Sequence, residues 1–187
     1  KWKLNHVENA AYLYDHCISL AFIDSLKFWN INNIIDISNM FSNCDSITSF
    51  EAIKNWNLNN VQYAIGTFKD CSALKSIDFL KNWNLSNVID INSMFSNCYN
   101  IKNIDGLKNW KINRVKKTNK LFENCESIFS IESVKNWNMS NVIDCSYMFK
   151  NCKNIKELKG VENWDLSQVK NTSGMFEGCS NILNIDP

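Results

Sequence analysis

Apolar residues in this chain recur neither at every second position, as in a half-buried strand, nor at the three-and-four spacing of an amphipathic helix. In residues 83–109 they fall at Trp83, Leu85, Val88, Ile91, Met94, Phe95, Cys98, Ile101, Ile104 and Leu107, mostly three apart. The series then restarts at Trp110. Tryptophan occurs only at 2, 29, 56, 83, 110, 137 and 164; cysteine occurs at 17, 44, 71, 98, 125, 152 and 179, with Cys145 the single addition. Phe41, Phe68, Phe95, Phe122, Phe149 and Phe176 keep the same step of 27, with Tyr14 in the first unit. A register held this strictly, without insertion or deletion, marks an array in which each unit buries its apolar face only against its neighbours.

With each Trp counted as position 1, the spacing by threes predicts flat coils of short strands and tight turns, one side chain per step pointing to the axis. The small polar residues at position 10 (Ser38, Asn92, Asn119, Ser146, Ser173) precede apolar residues at 12, 13 and 16. That arrangement predicts a capped helical or 3-10 turn over this stretch of each coil. Asn43, Asn97, Asn124 and Asn151, each preceding a cysteine, are expected to end that turn in a left-handed conformation. Positions 6–9 and 19–23 read as short strands, pairing in parallel with the next coil about 4.8 Å away. The chain, 1–187, is read as a single solenoid domain whose coils begin at Trp2, Trp29, Trp56, Trp83, Trp110, Trp137 and Trp164. It opens at Lys1-Trp2 inside the repeat, which reads as a segment of a longer array.

Composition supports a packed core: of 187 residues, 45% are apolar and 12% aromatic. The formal charge of +1 implies no general nucleic-acid footprint, and apolar runs such as residues 18–23 are too short to span a bilayer. Charge becomes informative only in columns. Position 23 reads Asp24, Glu51, Asp78, Asp105, Glu132, Lys159 and Asp186, and position 26 reads Lys27, Lys54, Lys81, Lys108, Lys135 and Glu162. Both signs invert together in the sixth coil, so the columns are expected to pair with each other as a solvated face. A calcium column is the weaker reading, since calcium wants six to eight oxygens and no competing ammonium groups.

Candidate chemistry is sparse. One cysteine per coil, flanked by core residues, predicts buried reduced thiols and not a disulfide framework or a zinc site; Cys145 is expected to be a packing choice. His6 and His16 lie at turn positions, and His16 beside Cys17 is expected to splay to the other side of the coil wall. Asp36, Asp90 and Asp144 are separated by Tyr63 and Lys117 on the intervening coils, about 10 Å apart. No glycine pattern forms a phosphate cradle. The expectation is therefore no catalytic, cofactor-binding or metal residues, and no enzyme. One basic patch stands out: Lys111, Arg114, Lys116, Lys117 and Lys120 in the fifth coil, a binding patch for an anionic polymer or acidic partner, or else simply a solvated face.

The segment SNVIDINSMFSNCYNIKNIDGLKNW carries a family signature. It resembles the BspA-like leucine-rich repeats, in particular the surface-protein repeat W-x-x-S-x-V-x-x-M-x-x-M-F-x-x-C-x-x-L. The matching residues include Trp83, Ser86, Val88, Met94, Phe95, Cys98 and Ile101, and the match recurs in every coil, weakest in the first. The Met expected at position 9 is replaced by Ile, Ala, Thr or Cys, and the coil is slightly longer than the usual unit. The resemblance implies a repeat solenoid, a leucine-rich-repeat-like stack of seven coils, in a surface-exposed or extracellular protein used for adhesion to a protein or glycan partner. It implies no catalytic residues. The alternative expectation is a structural one: uncapped ends stacking end to end into a filament.

Overall fold

The computed structural model describes residues 2–185. Residues 27 apart lie over one another: isolated parallel bridges join Asn9, Asp36, Tyr63, Asp90, Lys117, Asp144 and Asn171 in succession. This is a repeat solenoid.

The wall from position 7 to position 16 is held by main-chain bonds between coils. The N–H groups at positions 9, 11, 13 and 15 donate to the carbonyls at 8, 10, 12 and 14 of the following coil. In the fourth coil these are Ile91 to Lys117, Ser93 to Asn119, Phe95 to Leu121 and Asn97 to Glu123, at 2.8–3.2 Å. A return bond, Lys116 N–H to the Ile89 carbonyl at 2.8 Å, closes the set, and the same five bonds recur at every step along the stack. The remaining N–H groups close turns within the coil, as Met94 to Ile91, Ser96 to Ser93 and Cys98 to Phe95. Alternate peptides thus point along the axis and around the coil.

That alternation corrects the expected helical turn at positions 10–16 and the strand at 6–9. A helix would use its N–H groups internally and leave none for the next coil. Positions 11 and 15 are left-handed in every coil, from Tyr12 (φ 59°) and His16 (59°) through Ser93 (55°) and Asn97 (63°) to Gly174 (61°) and Gly178 (74°). The left-handed conformation expected at Asn43, Asn97, Asn124 and Asn151 is present; that at position 11 was not anticipated. Each such residue reverses the peptide, giving a chain of tight turns with only a single bridge residue at position 8. Nor do the caps come from position 10. Asp36, Asp90 and Asp144 accept the N–H of Ser38, Asn92 and Ser146 at 2.8, 3.0 and 2.9 Å, as Asn9 and Asn171 do for Ala11 and Ser173, so the side-chain cap comes from position 8 where Asp or Asn stands there.

The opposite wall, expected to hold a strand at positions 19–23, instead carries short 3-10 helices: Asp24–Phe28, Glu51–Ile53, Asp78–Asn82, Asp105–Leu107 and Glu132–Val134. Each opens with an acid, which suits the positive end of a helical turn. In the sixth coil Lys159 takes that place and Gly160 adopts φ 114°, far from the 3-10 range, and no helix forms there.

Inward columns fill the core. The Phe ladder stacks nearly parallel, as Phe95–Phe122 and Phe122–Phe149 at 5.5 Å, and Trp110, Trp137 and Trp164 stack at 6.1 and 6.4 Å. Each fully buried ring contributes roughly 1.5–3 kcal/mol by leaving water. Trp and Cys also share a hydrogen-bonding role. The indole N–H of Trp110 donates to the carbonyl of Leu80 at 3.1 Å, which already accepts the backbone N–H of Trp83. The thiol of Cys98 donates to the carbonyl of Phe68 at 3.0 Å, which already accepts the backbone N–H of Cys71. Both donors reach a residue 30 back in sequence, and the pattern holds for Trp56 to Trp164 and for Cys44 to Cys179. A side chain at either position must therefore be apolar in bulk and carry one donor.

Candidate functional site: the outward surface

The cysteines are free thiols, and all but Cys17 are buried. Burial pushes the Cys44 thiol up to about 12, and Cys71, Cys98, Cys125 and Cys152 are likewise raised, chiefly by burial. A thiol held neutral this firmly is no nucleophile. His16 sits 2.9 Å from Asp15, its neighbour. Burial raises the Asp15 carboxyl, but hydrogen bonds from His16, Asn43 and Ser42 outweigh it and leave the group below the usual carboxylate value. Among the described residues, no three His, Cys, Asp or Glu side chains are placed to hold one metal ion.

The charge columns pair only in part. Lys54 meets Glu51 at 3.3 Å and Lys135 meets Glu132 at 2.9 Å, as expected for positions 23 and 26. The inverted pair does not bridge to itself: Lys159 turns to Glu157 at 2.8 Å, while Glu162 accepts the N–H of Gly160. That hydrogen bond to Glu157 raises the Lys159 ammonium, and backbone donors lower Glu162. Asp186 lies outside the described residues.

All five residues of the basic patch are exposed. Arg114 donates through Nη1 to Asn87 Oδ1 at 3.0 Å, Lys117 lies 3.7 Å from Asp90, and Lys120 lies 4.0 Å from Glu123 and 6.0 Å from the Tyr147 ring. Lys111 and Lys116 have no such partners among the described residues. Most of the patch is thus already engaged by neighbouring coils.

Beside it runs a strip of amides that net composition did not reveal. Asn60, Asn87 and Asn141 at position 5 donate through Nδ2 to the position-4 carbonyl of the preceding coil at 2.6–2.7 Å. Asn57 and Asn84 at position 2 donate to the side chains of Asn32 and Asn59 at 3.1 and 2.9 Å. With their nitrogens committed inward, the position-5 amides leave Oδ1 outward. The signal was present in the recurrence of Asn at position 5, but which end of the amide faces out depends on the neighbouring coil.

The chain matches the family described as Mycoplasma protein of unknown function, DUF285, over residues 1–105 and again over 100–186. It belongs to that family. A comparison with curated proteins yields no match. Three solved structures are similar to the chain. A leucine-rich repeat protein from Eubacterium ventriosum is 17% identical over 83% of this chain and 42% of its own, with a TM-score of 0.46. A leucine rich cell surface protein from Faecalibacterium prausnitzii is 14% identical over 95% and 63%, at 0.39. A leucine-rich repeat protein from Bacteroides ovatus is 16% identical over 97% and 64%, at 0.26. The chain spans less than two-thirds of the length of each.

Proposed function

We propose that this DUF285 chain is a non-enzymatic contact module of the BspA-like repeat type, carried on a cell surface and presenting its outward columns to a protein or glycan partner. One observation carries the reading: the inward Trp, Phe and Cys columns repeat while an outward position beside them changes from coil to coil. Position 16 is Cys in every coil, whereas its outward neighbour at 17 reads Ile18, Asp45, Ser72, Tyr99, Glu126, Lys153 and Ser180. A constant scaffold with a varied exposed face suits recognition and supplies no converging acid, base or nucleophile. Exposed apolar side chains, among them Phe22 at 85%, Tyr99 at 45% and Phe129 at 58%, add anchoring points on that face. Lys111 and Lys116 of the basic patch add exposed cations elsewhere on the surface. The test is to probe immobilised extracellular-matrix proteins and glycans with the chain. Saturable binding to one class, with a dissociation constant below about 10 µM, is expected. Absence of saturable binding across both classes would remove the reading.

A further inference from the structure

The outward amide column bears a cation at one place within the molecule itself. Arg114 stands at position 5 of the fifth coil, and its guanidinium rests on Asn87 Oδ1, the outward oxygen of the coil before. Among the described residues the equivalent oxygens of Asn33 and Asn60 accept no hydrogen bond, because the position-5 residues that follow them are asparagines whose donors go to the Asn32 and Asn59 carbonyls. Those two residues, with His6, Glu8, Ile35 and Gln62, line an open groove of about 460 Å³ over the first coils. Glu8 and Ile35 are stacked at position 7, their main chains joined by a 2.7 Å bond from Ile35 N–H to the Glu8 carbonyl. Glu8 is exposed and forms no ion pair among the described residues. The groove therefore combines two amide oxygens and a carboxylate, none of them engaged among the described residues, with a half-buried aliphatic side chain.

We infer that this groove binds an arginine side chain of an extended partner polypeptide, with the guanidinium on the Asn33 and Asn60 amide oxygens and the Glu8 carboxylate, and the methylene stem along Ile35. The chemistry is specific. Guanidinium is a planar, donor-only group that matches carboxylate and amide oxygens, and its stem buries readily against an aliphatic side chain. The single arginine within these 187 residues already rests on Asn87, and the occupant we assign is an arginine of a separate polypeptide. The inference rests on the contact-module reading and names the chemistry of one partner.

The test is an NMR titration of the isotope-labelled chain with the peptide acetyl-Gly-Arg-Gly-Arg-Gly-amide, beside the same peptide with citrulline for arginine. Saturable shifts are expected at the Asn33 and Asn60 side-chain amides and at Ile35, with the arginine peptide binding about tenfold tighter than its neutral counterpart. Glu8→Gln, at an exposed site with no side-chain partner among the described residues, should weaken binding about 3- to 10-fold. Equal binding of the citrulline peptide, shifts confined to carboxylates elsewhere such as Glu126, or an unaltered affinity in Glu8→Gln would each overturn the proposal. If the peptide fails while matrix or glycan binding persists, only this inference falls. If the peptide binds while the arrays do not, the broader reading falls instead.

Discussion

The two walls of the solenoid solve the same problem with different bonds. Between positions 7 and 16 the main chain itself joins each coil to the next, with five bonds per step that no side chain supplies. Across positions 17 to 27 main-chain bonds between coils are few, for example Phe129 to Lys102 at 3.3 Å, and side chains take over. Ser46 and Asn100 bond the carbonyls of Ile18 and Ser72 at 2.7 and 2.8 Å, and the indoles bond the carbonyls at position 25. The first wall consequently tolerates Asn9, Tyr63 and Lys117 at one bridge position, while the second depends on an unvarying Trp at its end. Invariance in this fold tracks the inward columns on both walls, and at Trp and Cys the repeated side chain also bonds a carbonyl of the preceding coil.

The largest expected effect concerns the thiols that close the first wall. Their native pKa values are raised by burial, so the stability they contribute is complete below the ordinary thiol range, near 8.5, and is lost as pH rises above it, because only the unfolded chain can then ionise. Each of Cys71, Cys98, Cys125 and Cys152 should remove about 1.4 kcal/mol per pH unit there. Urea unfolding at pH 7 and pH 9.5 measures this; a flat profile would mean the thiols are not enclosed. On the second wall, Trp110→Phe keeps the ring stack but deletes the donor to Leu80, and is expected to cost about 1–2 kcal/mol in the same assay. Asn97→Ala on the first wall should cost about 1–2 kcal/mol, since its φ of 63° penalises a Cβ-bearing residue without a local amide, and its bonds to Asp70 and Asn124 vanish. Asn97→Gly should cost less than the alanine. Smallest is a gain: Lys120→Gly, at φ 58°, is expected to stabilise the fold by about 0.5 kcal/mol, because glycine carries no left-handed penalty.

How much of this was legible follows the same division. Trp, Phe and Cys announced the columns by their step of 27, and the asparagines before cysteine announced one of the two left-handed positions. The other escaped because Tyr12, Asn39, Gly66, Ser93, Lys120, Tyr147 and Gly174 share no chemistry; backbone bonding to the next coil, and not residue preference, fixes their φ. The helical turn was misplaced for that reason, since the Met-Phe-Cys spacing also fits a succession of tight turns. The acids at position 23 did mark helical starts, but as the first residues of 3-10 helices and not only as partners of the lysines. At the surface, the basic patch was visible as composition, whereas the groove over the first coils depends on which amide atom faces outward, and that is settled one coil away.

The account rests on indoles that each reach the layer beneath, and indole N–H exchange measured by NMR tests that most directly. The Nε1–H groups of Trp56, Trp83, Trp110, Trp137 and Trp164, bonded at 3.0–3.2 Å, should exchange at least about 100-fold more slowly than those of Trp2 and Trp29, which meet no such acceptor among the described residues. Seven indoles exchanging alike at the rate of free tryptophan would contradict it.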